Sequence, residues 1–424
     1  MDRTEADQHL CITLKTAKTI LLKYLESVTD APTPPTILLR KSLHHLTVDP
    51  PNPPQSLAYA TALIDLATQS LHSVPYKDVS HELRAAFTRA SLLQCVAILS
   101  RGEDGFHGEE DLRRAVKTLD MGLLMAGRPI WEELVMGLVD AITACLDNRA
   151  PDGAITSPTA SNPITLINPP TIAHPVPIAT TPPPLLTFQS RLTSPTPTPL
   201  LIKNALTHWP ALSTRPWSDF TYLRRIAGMH RTVPVEIGSK YTDEKWTQKL
   251  VSFGEFWERW IEGGGDEGSE TPQVAYLAQH DLFSQIPRLR DDICVPDYCY
   301  LSSDSSSSSS DSEIKTNAWL GPPSTISPLH TDPHDNLFAQ IVGYKYIRLY
   351  SPSQTPHLYP ISDSILGNTS EVDVEVVNHA KYPDFLKAEY VECCVGPGDL
   401  LFIPRGWWHY VRGLSVSFSV SFWF

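Results

Sequence analysis

The sequence predicts two domains of different fold class, an all-α helical N-terminal domain and an all-β C-terminal domain. We expect the second to be a double-stranded β-helix, a jelly-roll barrel of two sheets with a few flanking helices. Apolar residues recur at helical spacing in the first third of the chain, and short strand-like segments follow one another closely in its last half. A Pro-rich stretch lies between them, which predicts a helical domain at 1–148, a linker at 149–184 and a barrel at 185–424.

Amphipathic helices account for residues 9–148. Pro-rich breaks such as TDAPTPPT and VDPPNPPQ separate the first helices, and Gly127 with Pro129 marks the turn into the last one. The clearest helical spacings are Leu83, Ala86, Phe87, Ala90, Leu93, Ala97 and then Trp131, Leu134, Leu138, Ala141, Cys145. These helices show no cluster of chemistry-bearing side chains, so we expect the domain to dock partners or to stabilise the barrel.

Two low-complexity segments interrupt this plan. Residues 151–184 are rich in Pro, Thr, Ser and Ala and end in NPPTIAHPVPIATTPPP, which predicts an extended linker able to lie as an arm on the next domain. The run SSDSSSSSSDS at 302–312 predicts a solvent-exposed loop insertion within the barrel.

Strand candidates crowd the region after the linker. Because turns join them and the βαβ rhythm of a parallel sheet is missing, a barrel is favoured over a doubly wound sheet. Two helical segments, near 216–228 and 252–262, lie among them. The candidates are PLLIKN at 199, VPVEI at 233, VAYLAQ at 274, KTNAWLG at 315, STISPLH at 324, NLFAQIV at 336, YKYIRLY at 344, DLLFIP at 399 and LSVSFSVSFWF at 414.

The net charge indicates which class of partner to expect, and the cysteines and the N-terminus indicate the compartment. Asp and Glu total 47 against 34 Lys and Arg, a formal net charge of -13, so we expect no direct nucleic-acid or membrane partner and a basic protein partner instead. The seven cysteines show no C-x-x-C spacing, and the N-terminus MDRTEADQHL has no apolar leader. Both features predict an intracellular protein, nuclear or cytoplasmic; the oligomeric state is not predicted.

A metal-binding pattern lies in ISPLHTDPHDN and FIPRGWWHYV. His330 and Asp332 are one residue apart on a predicted strand, whose alternate side chains share a face, so they bring an imidazole and a carboxylate to one point. His409 supplies a second imidazole. Two histidines and a carboxylate form the ligand set of non-haem Fe(II) centres, which leave coordination positions open, whereas structural zinc sites fill all four. We predict that His330, Asp332 and His409 are the metal-binding and catalytic residues.

Longer blocks surround this pattern. They are HRTVPVEIGSKYTDEKW at 230, VAYLAQHDLFSQIP at 274, NAWLGPPSTISPLHTDPHDNLFAQIVGYKYIRLYSP at 317 and PGDLLFIPRGWWHYVRGLSVSFSVSFWF at 397. Together they resemble the JmjC domain, and in particular the arginyl hydroxylases among its members, from about residue 195 to the C-terminus. The resemblance implies an Fe(II)- and 2-oxoglutarate-dependent oxygenase that consumes dioxygen. Residues 1–190 resemble the family only as a helical part followed by a linker.

The resemblance implies a second set of residues for 2-oxoglutarate. Lys345 matches the lysine that meets its far carboxylate, and Tyr276, Ser327 and Asn336 match hydrogen-bonding positions. An ammonium group is the physical partner that a buried carboxylate requires. By position alone Lys345 is an ordinary solvated lysine beside a turn; the matching block GYKYIRLY favours the binding role.

The resemblance also implies substrate-binding roles for Glu236 and Trp319. A carboxylate and an aromatic face suit a guanidinium, and the acidic chain agrees with a basic, Arg- or Lys-bearing protein or peptide substrate. Without the resemblance, Glu236 would be a surface acid and Trp319 a core aromatic residue. Trp423 either lines the same pocket or packs the barrel, and the sequence leaves both open.

One histidine departs from the family pattern. His334 lies two residues beyond Asp332, where alternation alone would place it on the ligand face. Pro333 removes a ladder donor and bends the strand, so we expect His334 to turn away and not to serve as a fourth ligand.

Three functions are compatible with these residues. The leading hypothesis is a protein hydroxylase that acts on an arginine side chain of a partner protein. The second is a histone methyl-lysine demethylase, a nuclear chromatin regulator that uses the same iron chemistry. The third is a catalytically idle JmjC module that binds partners; retention of all three ligands and of Lys345 argues against it. A peptidase role lacks an evident nucleophile.

Overall fold

The computed structural model describes residues 3–28, 33–75, 78–100, 107–127, 130–149, 166–238, 240–242, 246–263, 274–301, 314–362 and 366–424. The helices are α1 Arg3–Ser27, α2 Pro34–Thr47, α3 Pro53–His72, α4 His81–Leu99, α5 Glu109–Ala126, α6 Glu132–Asp147, α7 Leu185–Leu192, α8 Phe220–Ala227, α9 Phe253–Phe256, α10 Leu282–Gln285 and α11 Pro287–Arg290. The strands are β1 Ile178–Ala179, β2 Leu200–Ile202, β3 Thr232–Ile237, β4 Thr247–Ser252, β5 Ala275–His280, β6 Lys315–Gly321, β7 Ile326–Thr331, β8 Asn336–Val342, β9 Lys345–Tyr350, β10 Tyr390–Val395, β11 Leu400–Ile403, β12 Trp408–Gly413 and β13 Ser417–Trp423.

The chain divides into two compact units, and the predicted fold class is confirmed for both. The first is made of Met1–Ser157, Gly228–Val233 and Ser252–Gly254, and the second of Pro158–Ala227, Pro234–Val251 and Glu255–Phe424. The boundaries expected from the sequence, 1–148, 149–184 and 185–424, stay a prediction. The Ser-rich insertion at 302–312 lies outside the described residues.

In the first unit, α2 to α5 pack in chain order, and α6 packs against α1 and α5. Its core is aliphatic, and α4 is buried on almost every side, from Phe87 to Leu99. Asp120 on α5 adds a buried polar contact within this unit: its carboxylate accepts the Arg231 guanidinium at 2.7 Å and the Thr232 N–H at 2.7 Å. No helix among the described residues has the length and apolar character needed to cross a membrane.

The second unit is a barrel of two sheets. The larger sheet has the order β1-β2-β11-β8-β13-β6-β5-β3-β4, and the smaller has the order β10-β9-β12-β7. Apolar side chains from both sheets, among them Phe338, Ile347, Leu349 and Leu401, form the inner core. All nine strand candidates from the sequence fall on strands; β1, β4, β10 and β12 were not among them.

A β-bulge in the smaller sheet decides which side chains face the inside of the barrel. His330 on β7 pairs with His409 on β12, and Ser327 pairs with Val411, so three steps on β7 match two on β12. The extra residue lets Ser327 and His330 point to the same face although their separation is odd. Pro328 lies inside the irregular stretch, where its missing N–H is tolerated.

The turn before β9 fixes the start of that strand. Gly343 adopts a φ of 69°, and a Cβ at this position would lie 1.9 Å from the carbonyl oxygen of Val416. Only glycine combines this left-handed conformation with so close an approach of backbone to backbone. The turn carries the chain from β8 in the larger sheet to β9 in the smaller one, and it places Lys345 at the first position of β9.

The second half of the Pro-rich segment lies on the barrel as an arm. The Val176 N–H donates to the carbonyl of Glu392 on β10 at 3.0 Å, and the Glu392 N–H donates to the carbonyl of His174 at 2.7 Å. The buried Glu392 carboxylate accepts the Ala173 N–H at 2.7 Å and the Tyr346 hydroxyl. Residues 166–179 are therefore held by backbone pairing and by one buried acid.

Candidate metal centre

The three predicted ligands converge inside the barrel. One ligand atom of each of His330, Asp332 and His409 lies within 4.8 Å of the others. The His409 Nε2 is 3.5 Å from Asp332 Oδ2, the His330 Nε2 is 4.0 Å from Asp332 Oδ1, and the two ring centroids are 4.2 Å apart. Cross-strand pairing of β7 with β12 brings the two imidazoles together, and the H-x-D spacing adds the carboxylate at the end of β7.

Backbone carbonyls orient both imidazoles. His330 Nδ1 donates to the carbonyl of Pro328 at 2.7 Å, and His409 Nδ1 donates to the carbonyl of Trp407 at 3.0 Å. Because a carbonyl oxygen only accepts, each Nδ1 carries the proton and each Nε2 presents its lone pair to the shared point. Two neutral imidazoles and a carboxylate fit a ferrous ion that keeps positions open for other ligands.

The pKa values at the three groups reflect burial and mutual contact. Burial, with His409 close by, lowers the pKa of His330 to about 4. Burial would lower the pKa of His409 as well, but the nearby Asp332 carboxylate and the Trp407 carbonyl together outweigh burial and raise that pKa. Burial alone would raise the pKa of the Asp332 carboxyl group, but the neighbouring imidazoles of His409, His330 and His334 together outweigh it and lower that pKa. The carboxylate is therefore ionised near neutral pH, as metal binding requires.

A buried ammonium lies deeper in the barrel. Lys345 is 0% exposed, and its Nζ donates to the Tyr276 hydroxyl at 3.0 Å. The Ser327 side chain lies beside the same hydroxyl. Within the described ranges no carboxylate comes within 4 Å of Lys345 Nζ, and burial lowers the pKa of this lysine to about 7. Since a buried cation without a counterion is unfavourable, this end of the pocket fits the carboxylate of a ligand.

The fourth residue expected to bind 2-oxoglutarate has an unsatisfied buried atom. Asn336 begins β8 and is 4% exposed, and its Oδ1 has no hydrogen-bond partner among the residues that the structure describes. By alternation it shares a face with Phe338, whose ring centroid is 5.4 Å from Lys345 Nζ. The side-chain amide therefore retains hydrogen-bonding capacity on the pocket side of β8.

The two residues expected to bind substrate lie next to this pocket. Glu236 on β3 pairs directly with Tyr276 on β5, and the Tyr276 and Trp319 rings are 6.0 Å apart. Trp319 is fixed by a hydrogen bond from its Nε1 to Ser421 Oγ at 2.9 Å. Burial raises the pKa of Glu236, and one N–H donor, Trp246 Nε1 at 3.3 Å from Oε2, partly offsets this effect.

Sequence reasoning missed two aromatic residues at the pocket. Trp246 donates to Glu236, and Tyr241 lies where both the Glu236 and the Asp332 carboxylates act on its hydroxyl. The Tyr241 hydroxyl shares a 3.1 Å hydrogen bond with Thr369, whose backbone bridges to that of His330. Both aromatic residues fall in the block HRTVPVEIGSKYTDEKW, between the end of β3 and the start of β4, so the resemblance of this block was the only sequence signal for them.

His334 lies outside the cluster, in agreement with the expected geometry. Its ring stacks on that of Trp423 at 5.7 Å, and its Nε2 is 3.5 Å from Lys315 Nζ. Trp423 in turn pairs with Asn336 across β13 and β8. Trp423 is thus a packing partner of His334, and the candidate metal-binding cluster among the described residues consists of His330, Asp332 and His409.

Comparisons with known proteins identify the family. A family model described as a cupin-like domain matches residues 186–424. "Lysine-specific demethylase 8" of Danio rerio is 40% identical over 380 residues, which is 87% of this chain and 88% of that protein. "Lysine-specific demethylase 8" of Xenopus tropicalis is 51% identical over 225 residues, 53% of this chain and 47% of that protein. "Lysine-specific demethylase JMJ30" of Arabidopsis thaliana is 45% identical over 227 residues, 53% of this chain and 49% of that protein.

The matches agree with the geometry of the barrel. The family model covers the whole second half of the chain, including every strand that carries His330, Asp332 and His409. The Danio rerio relative extends the match into the helical half, whereas the other two span about half of each protein. The chain therefore belongs to the cupin-like JmjC family and is an Fe(II)- and 2-oxoglutarate-dependent dioxygenase.

Proposed function

We propose that this dioxygenase is a protein hydroxylase that acts on an arginine side chain of a partner protein. The observation that carries the proposal is Glu236, a half-buried carboxylate beside Trp246, with Tyr276 and Trp319 adjacent. In the described part of the chain no cation lies within 4 Å of it. A planar guanidinium satisfies such a carboxylate and stacks on aromatic rings, which suits arginine better than lysine.

His330, Asp332 and His409 would hold the ferrous ion. Bound there with 2-oxoglutarate and dioxygen, the ion supplies the oxidising power that inserts an oxygen atom into an unactivated C–H bond. The protein's own contribution is positional. The carbonyls of Pro328 and Trp407 hold both Nε2 atoms toward the shared point, and they keep the imidazoles in the tautomer that ligation needs.

Lys345, Tyr276, Ser327 and Asn336 would hold 2-oxoglutarate. The Lys345 ammonium and the Tyr276 hydroxyl suit the far carboxylate, and the buried Asn336 can donate to 2-oxoglutarate through the NH2 group of its side-chain amide. The Tyr276 hydroxyl stays protonated, because burial and the nearby Glu236 raise its pKa, so it can donate. These contacts exclude water from the closed end of the pocket and orient the keto-acid end toward the metal ligands.

A basic protein partner agrees with the formal net charge of -13. All seven cysteines are free, which is compatible with the intracellular location, nuclear or cytoplasmic, that the sequence predicts. Both the partner and the compartment belong to the proposal. The proposal also includes a role for the helical unit in choosing that partner.

Mass spectrometry of substrate peptides tests the arginine assignment. Arginine-bearing basic proteins incubated with enzyme, Fe(II) and 2-oxoglutarate should gain one oxygen on arginine, dependent on 2-oxoglutarate. Glu236→Gln keeps the side-chain shape and removes the charge, so we expect KM for an arginine peptide to rise about tenfold to a hundredfold. Glu258→Gln, an exposed acid, is the matched control. Oxygen gain confined to other residue types would refute the assignment.

A second candidate function is demethylation of methyl-lysine, because three relatives carry that activity in their names. The aromatic residues Trp246 and Trp319 near Glu236 are also compatible with a methylated ammonium group. Formaldehyde release from methyl-lysine peptides, with no oxygen gain on arginine peptides, would favour this candidate. An idle binding module is disfavoured by the complete set His330, Asp332 and His409.

A further inference from the structure

One more polar side chain lies at the Lys345 end of the pocket. Thr325 precedes β7 and is 3% exposed, and its hydroxyl oxygen has no hydrogen-bond partner among the described residues. A buried hydroxyl without a partner is unfavourable by itself. Thr325 therefore has a hydrogen-bonding capacity that the folded chain does not use.

The strand register places this hydroxyl inside the barrel. A Cβ built on Gly413 would lie 2.7 Å from Thr325 Oγ1. Gly413 shares the inward face of β12 with His409 and Val411 by alternation, and it is the direct partner of Lys345 across β12 and β9. The hydroxyl thus occupies the volume that a side chain at position 413 would fill, beside the first residue of β9.

The other side of the Thr325 side chain contacts the same pocket wall as Tyr276. A Cβ on Gly321 would lie 2.7 Å from Thr325 Cγ2 and 2.9 Å from Tyr276 Cδ2. The absence of a side chain at Gly321 lets the threonine and the tyrosine approach each other. Since the Tyr276 hydroxyl is the partner of the Lys345 ammonium, the three polar groups gather at one end of the barrel.

We infer that Thr325 is a further residue that binds 2-oxoglutarate, and that its hydroxyl donates a hydrogen bond to the far carboxylate beside Lys345 and Tyr276. This inference rests on the proposed binding of 2-oxoglutarate in the pocket. A carboxylate offers about four lone-pair positions, so an ammonium and a phenol leave room for another donor. The bound carboxylate supplies the acceptor that the Thr325 hydroxyl lacks.

Binding measurements on a pair of variants test this role. Thr325→Val replaces the hydroxyl by a methyl group of similar size, and Thr325→Ser keeps the hydroxyl. The dissociation constants of 2-oxoglutarate and of 2-oxopentanoate are measured anaerobically by calorimetry on metal-loaded protein. The second ligand has the same chain length but ends in a methyl group. Melting temperatures of the metal-free, ligand-free proteins are recorded in parallel.

Thr325→Val should weaken 2-oxoglutarate binding about tenfold, because a hydrogen bond to a charged group is lost. It should leave 2-oxopentanoate binding unchanged and should not lower the melting temperature. Thr325→Ser should bind 2-oxoglutarate nearly as the wild type does. Equal weakening for both ligands would assign Thr325 to packing and overturn the inference, as would an unchanged dissociation constant for 2-oxoglutarate.

Lys345→Met separates this inference from the function on which it rests. If the wild-type protein binds 2-oxoglutarate, Lys345→Met abolishes binding and Thr325→Val has no effect, only the inference on Thr325 fails. If the wild-type protein does not bind 2-oxoglutarate at all, the proposed use of the pocket fails, and the inference fails with it.

Discussion

Raising the pH from 7 to 9 should weaken 2-oxoglutarate binding about 50-fold, because binding requires the charged form of Lys345. Burial lowers the pKa of this lysine to about 7 in the ligand-free protein. Above that value the protonated fraction falls about tenfold per pH unit, from about one half at pH 7 to about 1% at pH 9. The carboxylates of 2-oxoglutarate are ionised throughout this range, so the predicted pH dependence of binding comes from Lys345.

The direction of this pH effect follows from the linkage between 2-oxoglutarate binding and protonation of Lys345. A carboxylate placed beside Lys345 stabilises the ammonium and raises its pKa in the complex, so binding takes up a proton when the pH exceeds about 7. Calorimetry in two buffers of different ionisation enthalpy, at saturating metal, measures both the dissociation constant and the proton uptake. Lys345→Met should bind weakly at every pH and show no uptake, whereas Lys249→Met, an exposed lysine on β4, should behave as the wild type.

A dissociation constant that stays flat between pH 7 and 9, with no proton uptake, would refute the reasoning. It would mean that the Lys345 ammonium keeps its proton over this pH range without the ligand. Weakening that persists unchanged in Lys345→Met would assign the titration to a different group.

Asp332→Asn should reduce bound iron and turnover at least a hundredfold, because the metal would lose its anionic ligand. His334→Gln should leave bound iron and turnover unchanged. Elemental analysis measures the iron, and mass spectrometry of the product measures the turnover. Glu392→Gln should lower the free energy of unfolding by about 2 kcal/mol, because the arm loses a buried acceptor, and exposed Glu389→Gln should leave denaturant unfolding unchanged. Gly343→Ala should cost about 3 kcal/mol or more in the same assay, because its Cβ would clash 1.9 Å from Val416 O.

The local part of the candidate metal centre could be predicted from the sequence. His330 and Asp332 need only the alternation of one strand, and the H-x-D spacing encodes it. His409 depends on the register between two strands far apart in the chain. Its own strand, β12, was not among the strand candidates, because WWHYVRG comes directly after the short turn that follows β11.

The bulge at Pro328 shows where alternation fails as a guide. Ser327 and His330 are three residues apart, so a regular strand would place them on opposite faces of the sheet. The observed pairing with Val411 and His409 brings both inward, and this is a property of the two-strand register. The proposed cosubstrate contact of Ser327 therefore depends on an irregularity that no periodicity encodes.

Contacts between segments far apart in the chain also could not be predicted from patterns in the sequence. The composition of residues 151–184 predicts an extended linker able to lie as an arm. Glu392, the acid that holds this arm, lies more than 200 positions away from Ala173 and resembles an ordinary strand residue. Tyr241 and Trp246 lie between strands, where side chains have no periodic signal. Tertiary contacts alone bring Trp246 to Glu236, and Tyr241 to Glu236 and Asp332.

An anaerobic visible spectrum tests most directly whether His330, Asp332 and His409 bind Fe(II) together with 2-oxoglutarate. Addition of Fe(II) and 2-oxoglutarate to the purified protein should produce a metal-to-ligand charge-transfer band, because the keto acid can chelate the metal only through open coordination positions. The band should be absent in Asp332→Asn. A colourless wild-type sample in which elemental analysis confirms stoichiometric iron would contradict the account.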